Sequence, residues 1–325
     1  MSTITHVAES AGVSKATVSR VLSGTTPVKE ATRARVLAAV EALSFSPNQA
    51  ARSLASKKTY TIGLVTSHID TAYYGPATSG IESALRGDDR HVILACGNGS
   101  LKGERDAVDF LVKRQVDALV LLTEYLSTEE IAKINSRCPV FALNQHFPDD
   151  EGHVISFDDF AGGEMATQHL IDKGHAKIAI VTGPLWKRDA YQRLLGCQKA
   201  LKKSKTPLIY QGEGDFNVES GMAHMTAILA LEQRPSAVFC SNDLMAMGAL
   251  HICVQQGIKV PEEMAIIGFD DLSMSQYYTP SLSSIKLPLY QMAEATARLL
   301  LNAIYGTHYP IQSHFSPELI VRQST

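Results

Sequence analysis

The sequence predicts a small all-α domain followed by an α/β core of two lobes with parallel sheets. Residues 1–45 carry apolar residues at helical spacing only, whereas from Thr61 onward short apolar runs alternate with helical patterns. Strands that alternate with helices build parallel sheets from βαβ units. With 325 residues, 45% of them hydrophobic, the chain is long enough for a small head and two lobes that each bury a core.

The first two helices are predicted on either side of a tight turn at Gly12. Glycine adopts the positive φ that such a turn requires, and Ser14 is placed to cap the next helix. The inward positions at helical spacing are Ile4, Val7, Ala8 and Ala11 on the first helix and Val18, Val21 and Leu22 on the second. This pattern indicates a helix-turn-helix.

The outer edge of the second helix is predicted to enter a DNA major groove. The residues on that edge are Lys15, Ala16, Ser19 and Arg20, and Thr17 is also predicted to contact DNA. An αα-hairpin that binds no nucleic acid shows the same pattern, but the charge distribution favours DNA. Residues 1–57 hold seven Lys and Arg against three Asp and Glu, a net charge of +4, whereas residues 58–325 have a net charge of −7. A basic head on an acidic body is expected when only the head meets phosphates.

A third helix and a hinge complete the head. The helix is predicted over residues 29–43, and its inward face carries Val36, Leu37, Val40 and Leu43, which closes a domain of residues 1–46. Residues 47–58 form a hinge and linker, in which Gln49 to Ala55 is helix-prone but too short to be stable alone. We expect this segment to fold only when packed, with Asn48, Ala51 and Leu54 contacting DNA and Leu54 entering a minor-groove step. A flexible linker is the alternative.

The core, residues 59–325, is predicted to form two open-sheet lobes joined by several crossings. The predicted strands are Ile62 to Val65, Val92 to Ala95, Ala118 to Leu122, Val140 to Leu143, Val154 to Phe157, Ile178 to Val181, Leu208 to Tyr210, Ala237 to Cys240 and Ala265 to Ile267, and the helices include Glu104 to Lys113, Glu164 to Asp172, Ala190 to Lys202 and Leu244 to Gln256. The chain returns near Leu287 and near Phe315. We therefore expect an N-lobe of about 59–158 and 288–316 and a C-lobe of about 159–287 and 317–325.

Polar residues at strand ends predict a ligand site between the lobes, because open α/β sheets bind ligands beyond the carboxyl ends of their strands. These pairs are Asp158 and Asp159, Asn242 and Asp243, and Asp270 and Asp271. Carboxylates, an amide and the Arg193 guanidinium suit neighbouring hydroxyl groups. The rings predicted to cover the apolar face of a sugar are those of Tyr73, Tyr74, Phe216 and Trp186.

Four of these residues also have a structural interpretation. Asp243 precedes a helix and is expected to be its N-cap rather than a ligand contact, and Asp159 and Asp271 are expected to cap or bend their turns. Phe216 could equally be a satellite core residue.

The sequence argues against an enzyme, a metal site and a membrane protein. It contains no GxxxxGK[ST], GxGxxG, GxSxG or HExxH motif, so neither a catalytic centre nor a cofactor is predicted. Five cysteines without a CxxC pair are expected to be reduced thiols. No apolar run approaches the roughly 20 residues of a membrane span and no export signal is recognisable, which predicts a cytoplasmic protein.

The segments TITHVAESAGVSKATVSRVLSG, SPNQAARSLA and TIGLV, in this order, resemble the lactose/galactose repressor (LacI/GalR) family. FDDFAGGEMATQHLIDKGHAKIAIVTG, SNDLMAMGAL, VPEEMAIIGFDD and FSPELIVRQS continue the resemblance to the end of the chain, which looks closest to the galactose-repressor branch. The resemblance implies a two-lobe core like that of periplasmic sugar-binding proteins. It also implies a transcriptional repressor that binds palindromic operator DNA, with an effector in the inter-lobe cleft.

The resemblance also assigns effector contacts. Arg193, Asn242 and Asp270 match ligand-contacting positions of the family, as do Phe216 and Asp158 to a lesser degree, whereas Tyr73-Tyr74 departs from the commoner Pro-Phe-Phe pattern. A sugar inducer is the first expectation, with a purine-type corepressor, or a sugar sensor whose head binds protein, as alternatives. Only four residues follow Val321 and they contain no leucine heptad, so we expect a homodimer rather than a tetramer.

Overall fold

A computed structural model describes residues 3–23, 27–45, 58–145, 147–148 and 152–325. The chain divides into two compact units, residues 1–60 and residues 61–325. No helix in the described ranges combines the length and the apolar character needed to cross a bilayer. The five cysteines are free thiols, and all but Cys96 are buried.

The first unit contains the three predicted helices, α1 (Ile4–Ala11), α2 (Lys15–Ser23) and α3 (Glu30–Ala42). Gly12 ends α1 with a φ of 63°, and the Ser14 hydroxyl accepts the N–H of Thr17 at 3.1 Å, so the predicted turn and cap are both present. The core of this unit is formed by the buried residues Val7, Ala8, Ala11, Val18, Val36 and Ala39.

One predicted core residue of α3 is wrong. Leu37 is 46% exposed, whereas Ala39 is buried and Val40 and Leu43 are half-buried. Successive residues of a helix are rotated by about 100°, so the inward face set by Val36 continues at Ala39 and Val40 and leaves Leu37 outside.

The second unit contains two six-stranded sheets, which confirms the predicted α/β core with parallel sheets. The N-lobe sheet has the strand order β11 (His314–Phe315), β5 (Val154–Phe157), β4 (Val140–Leu143), β3 (Ala118–Leu122), β1 (Thr61–Thr66) and β2 (His91–Cys96), and its strand pairs are parallel. The C-lobe sheet has the strand order β12 (Glu318–Ile320), β10 (Ser283–Lys286), β9 (Ala265–Asp270), β8 (Ala237–Cys240), β6 (Ile178–Thr182) and β7 (Leu208–Glu213); β12 is antiparallel to β10 and the other pairs are parallel. The chain crosses between the lobes from β5 to the helix that begins at Asp159, from β10 to the helix that begins at Leu289, and from β11 to β12.

The N-lobe consists of β1 (Thr61–Thr66), α4 (Tyr74–Gly87), β2 (His91–Cys96), α5 (Leu101–Lys113), β3 (Ala118–Leu122), α6 (Thr128–Asn135), β4 (Val140–Leu143), β5 (Val154–Phe157), α11 (Leu289–Tyr305) and β11 (His314–Phe315). The C-lobe consists of α7 (Asp159–Asp172), β6 (Ile178–Thr182), α8 (Arg188–Ser204), β7 (Leu208–Glu213), α9 (Val218–Leu229), β8 (Ala237–Cys240), α10 (Asp243–Gln255), β9 (Ala265–Asp270), a 3₁₀ turn (Ser275–Tyr277), β10 (Ser283–Lys286) and β12 (Glu318–Ile320). Two ends bear on the site: β9 continues to Asp270, past its predicted end at Ile267, and α7 begins at Asp159 rather than Glu164.

Candidate functional site

The outer edge of α2 is a polar surface on an anchored helix. Lys15, Ala16, Ser19 and Arg20 are exposed and Thr17 is half-buried, while Val18 on the opposite side has no exposed surface. The sequence predicted Lys15, Ala16, Ser19 and Arg20 on this edge, and α2 exposes all four. The hinge residues Asn48, Ala51 and Leu54 lie outside the described residues.

A buried guanidinium lies at the centre of the second unit's polar site. Arg193 is 3% exposed; its Nε donates to Asp159 Oδ1 at 2.9 Å and its Nη1 donates to the Ser241 carbonyl oxygen at 2.6 Å. Nη1 also lies 3.7 Å from Asp270 Oδ1, and the guanidinium carbon is 3.7 Å from the centre of the Phe269 ring. Asp159 follows β5, Ser241 follows β8 and Asp270 is the last residue of β9. The carboxyl ends of three strands therefore meet at the Arg193 guanidinium, which comes from α8.

Close helix packing puts Arg193 in this position. A Cβ atom on Gly163 of α7 would lie 2.1 Å from the Arg193 carbonyl oxygen, and a Cβ on Gly196 of α8 would lie 2.0 Å from the Phe160 carbonyl oxygen. No side chain fits at either glycine, so the two helices touch backbone to backbone. This contact brings α8 close enough for Arg193 to reach Asp159 at the start of α7.

The cluster leaves two buried polar atoms without a hydrogen-bond partner among the described residues. Asp270 Oδ1 has no hydrogen bond from any described residue, and neither has the buried hydroxyl of Ser241. Burial raises the pKa of Asp270 well above its usual range, the carboxylates of Asp243, Asp189 and Asp159 raise it further, and Arg193 opposes them. A buried acceptor without a donor costs free energy. A ligand hydroxyl or N–H would supply that donor.

Two caps differ from the structural interpretations made from sequence. Asp158, not Asp159, caps α7: its exposed carboxylate accepts the N–H of Ala161 at 2.8 Å. Asp159 instead is buried and binds Arg193 and the Asn144 amide. Asn242, not Asp243, caps α10. In both pairs the cap is the residue outside the helix, whereas the first residue inside it projects into the protein.

Asn242 and Asp243 are both occupied by protein partners. The Asn242 oxygen accepts the N–H of Met245 at 2.9 Å and its amide donates to the Phe216 carbonyl at 2.9 Å. The Asp243 carboxylate accepts the hydroxyls of Ser275 and Ser284 and the N–H of Leu272. Burial raises the pKa of Asp243 to about 6, although these hydrogen bonds lower it. Asp243 therefore holds the segment after β9 against the end of β8. Asp271 also has a protein partner, because its Oδ1 accepts a hydrogen bond from Arg322 Nη2 at 2.7 Å.

The aromatic side of the site comes from both lobes. Tyr73 and Tyr74 of the N-lobe meet edge to face with ring centres 5.2 Å apart. Burial raises the pKa of Tyr73, as do the nearby carboxylates of Asp270 and Asp189, which belong to the C-lobe. Tyr74 is buried and its hydroxyl donates to Glu124 at 2.7 Å. From the C-lobe, the ring of Phe216 lies 5.8 Å from the Arg193 guanidinium carbon.

Contacts that sequence reasoning missed join the lobes. Lys187 Nζ of the C-lobe lies 2.9 Å from Glu124 Oε1 of the N-lobe, and the ring centres of Trp186 and Tyr125 are 5.4 Å apart. Glu124 follows β3 and Lys187 follows β6, so the strand-end argument that selected the aspartates applies to these two residues as well.

A cavity of about 350 Å³ lies beside the crossing segments. Its wall includes Asn144, Asp158, Asp159, Arg188 and His314. This volume lies within the range of small-molecule sites. Asp158 lines this cavity, while Asp159 belongs both to its wall and to the Arg193 cluster.

Comparison with known proteins gives the same architecture. Residues 3–48 match the family model for bacterial regulatory proteins of the lacI family, and residues 167–325 match a periplasmic binding protein-like domain. The chain is 34% identical to the HTH-type transcriptional repressor PurR of Mannheimia succiniciproducens, over 100% of this chain and 98% of that protein. It is 35% identical to the HTH-type transcriptional regulator GalR of Escherichia coli K12, over 100% of this chain and 96% of that protein. A lac repressor structure bound to ONPG has a TM-score of 0.86 at 28% identity, covering 100% of this chain and 99% of that one.

Proposed function

This chain belongs to the lacI family of bacterial regulatory proteins, which bind DNA and regulate transcription, and we propose that a small molecule in its inter-lobe cleft controls its binding to an operator. The observation that supports effector control is the buried Arg193 cluster with the unfilled Asp270 oxygen. We place this regulator in the cytoplasm, where it meets the chromosome.

The head supplies sequence recognition. In our proposal α2 lies in the major groove, where Lys15, Ala16, Thr17 and Ser19 set base preference and Arg20 makes a bidentate contact with guanine. Two heads of a homodimer then read the two halves of a palindrome. A lac repressor structure is described as a dimer bound to operator and an anti-inducer, which supports this assembly.

The hinge couples the cleft to the head. Asn48, Ala51 and Leu54 belong to a segment too short to be a stable helix alone, so it folds on operator DNA when a partner hinge packs against it. An effector that changes the spacing of the N-lobes changes this folding. Coupling of this kind is typically about 1 to 3 kcal/mol, or about 5- to 150-fold in affinity.

A sugar inducer is the effector that the cleft chemistry supports best. Asp270 offers an acceptor, the Arg193 guanidinium offers donors, and Tyr73 and Phe216 offer ring faces, a combination that suits hydroxyl groups on a ring. One related regulator has been solved as a complex with cellobiose, at 29% identity and a TM-score of 0.74. A purine-type corepressor is the second candidate, because PurR proteins are as similar to this chain as GalR proteins are.

Operator binding with and without candidate effectors tests the proposal. Fluorescence anisotropy of labelled promoter DNA from beside the gene, titrated with a panel of sugars and nucleobases, should find one compound that shifts the dissociation constant.

Asp270→Asn should then bind the operator and lose the shift in dissociation constant, while the matched variant Asp271→Asn, which replaces a carboxylate that pairs with Arg322, should keep it. A sugar that weakens binding identifies an inducer, and a nucleobase that strengthens it identifies a corepressor. If Asp270→Asn responds like the unmodified protein, the effector site is misplaced.

Salt and the hinge give two further checks. Contacts between the head and phosphates make the association constant fall steeply as salt rises, whereas a head that binds protein need not behave this way.

Leu54→Ala should weaken specific binding more than non-specific binding, and hinge amides should be protected from hydrogen exchange only on operator DNA. Equal protection with and without DNA would remove hinge folding from the mechanism.

A further inference from the structure

Glu124 receives two donors at the N-lobe side of the cleft. Its Oε1 accepts the Tyr74 hydroxyl at 2.7 Å and lies 2.9 Å from Lys187 Nζ. The Lys187 and Glu124 side chains are only 15% and 20% exposed, so little water competes for their contact. Because Lys187 comes from the C-lobe, the pair also spans the two lobes.

A buried carboxylate holds Glu124 in place. Glu104 of α5 has no exposed surface and accepts the backbone N–H groups of Glu124, Tyr125 and Leu126 at 2.8, 3.0 and 2.9 Å, together with the Ser67 hydroxyl. Four donors on one carboxylate fix the loop after β3. Glu124 is therefore positioned before any ligand binds.

The pair sets the charge of this part of the cleft. Lys187 Nζ lies 5.0 Å from the centre of the Phe216 ring, on the cleft side of the C-lobe. An ammonium group has three donors and no acceptor, and without a carboxylate beside it would bind phosphate or carboxylate groups strongly. The Glu124 carboxylate neutralises the charge of Lys187. The Arg193 guanidinium is surrounded in the same way, by Asp159, Asp189 and Asp270.

We propose that Glu124 is a specificity-determining residue that makes the cleft accept uncharged hydroxylated molecules and reject phosphorylated or carboxylated ones. An anionic ligand would have to displace Glu124 from both Lys187 and Tyr74, and would place its charge near three aspartates. A neutral polyol meets only hydrogen-bonding groups. This inference rests on the proposed function, since it assumes that the cleft is the effector site.

Inorganic phosphate is the probe for this proposal, used with the full-length protein and without DNA. In thermal unfolding at constant ionic strength, the unmodified protein should show no saturable stabilisation by phosphate beyond that given by sodium chloride. Glu124→Gln keeps the side-chain size and frees the Lys187 ammonium. Its apparent affinity for phosphate should rise about tenfold or more, since a hydrogen bond to a charged group is worth at least that factor. The double variant Glu124→Gln/Lys187→Met should lose the gain.

Glu164→Gln is the matched control, because it removes a carboxylate 2.8 Å from Lys199 on the α7–α8 surface, where the lysine is 55% exposed. An equal gain in this control, or saturable phosphate binding by the unmodified protein, would overturn the proposal. So would a Glu124→Gln variant that folds, by circular dichroism, and gains nothing. If Glu124→Gln does not fold, the shorter Glu124→Asp should show a smaller gain. Because no DNA is present, a failure of operator binding would be seen separately.

Discussion

The head and the cleft hold their polar residues in opposite ways. In the head, Lys15 to Arg20 lie on one helix, and its polar edge faces outward while Val18 anchors it. In the cleft, Arg193, Asp159 and Asp270 come from separate elements and each is at most 7% exposed. An exposed edge can bind a partner without being part of the buried core, whereas a buried cluster is part of the core. Substitutions should therefore separate binding from stability in the head and join them in the cleft.

The largest effect is expected for Arg193→Ala. It removes the cation that contacts the buried carboxylates of Asp159 and Asp270 and a donor to the Ser241 carbonyl, and breaking such a buried pair costs about 3 to 5 kcal/mol. Urea unfolding monitored by circular dichroism measures this loss. Lys199→Ala breaks a surface pair with Glu164 and should cost less than about 1 kcal/mol. Equal losses in the two variants would mean that the cluster does not stabilise the core.

The next effect concerns pH. The pKa of Asp243 is raised to about 6 in the folded protein, above its ordinary value of about 3.9, so between these values the folded state holds a proton that the unfolded state lacks. Stability should therefore fall as pH rises from about 4 to 6, by about 2 to 3 kcal/mol from this group. Asp243→Asn should remove that part of the slope, whatever constant cost the substitution adds. If the difference in free energy of unfolding between the two proteins stays constant across this pH range, the assignment to Asp243 is wrong.

Arg20→Ala should change DNA binding more than it changes stability. Loss of a bidentate guanine contact costs about 1 to 3 kcal/mol of discrimination at one symmetric pair of positions. Competition binding with operator variants measures the preference, and the free energy of unfolding in urea should change by less than about 1 kcal/mol, because contacts of an exposed side chain contribute little to stability. Arg33→Ala, an exposed cation on α3, should leave base preference unchanged. If Arg20→Ala keeps the affinity and the preferred site, α2 does not read the bases through Arg20.

The smallest effect is expected for Ser14→Ala, which tests whether the N-cap of α2 stabilises the head. The Ser14 hydroxyl accepts the Thr17 N–H at 3.1 Å, and loss of an N-cap costs about 1 kcal/mol. Hydrogen exchange of the α2 amides should report the loss, while Ser19→Ala on the outer edge of the same helix should not. Equal exchange in both variants would mean that the cap contributes nothing.

Local signals in the sequence determined the helix-turn-helix, the two parallel sheets and the strand ends at which the polar residues lie, because apolar periodicity and strand-end chemistry depend on neighbours along the chain. The same signals could not distinguish Asp158 from Asp159, or Asn242 from Asp243, since a shift of one residue at a helix start exchanges a cap for a buried side chain.

Tertiary structure alone decided which polar residues are partners. Asp159 meets Arg193 because Gly163 and Gly196 let α7 and α8 touch, and Glu124 meets Lys187 because the loops after β3 and β6 belong to facing lobes. Residues 34 and 63 positions apart in the chain carry no local sign of each other. Their pairing is set by helix packing and lobe geometry, which depend on contacts spread over the whole core.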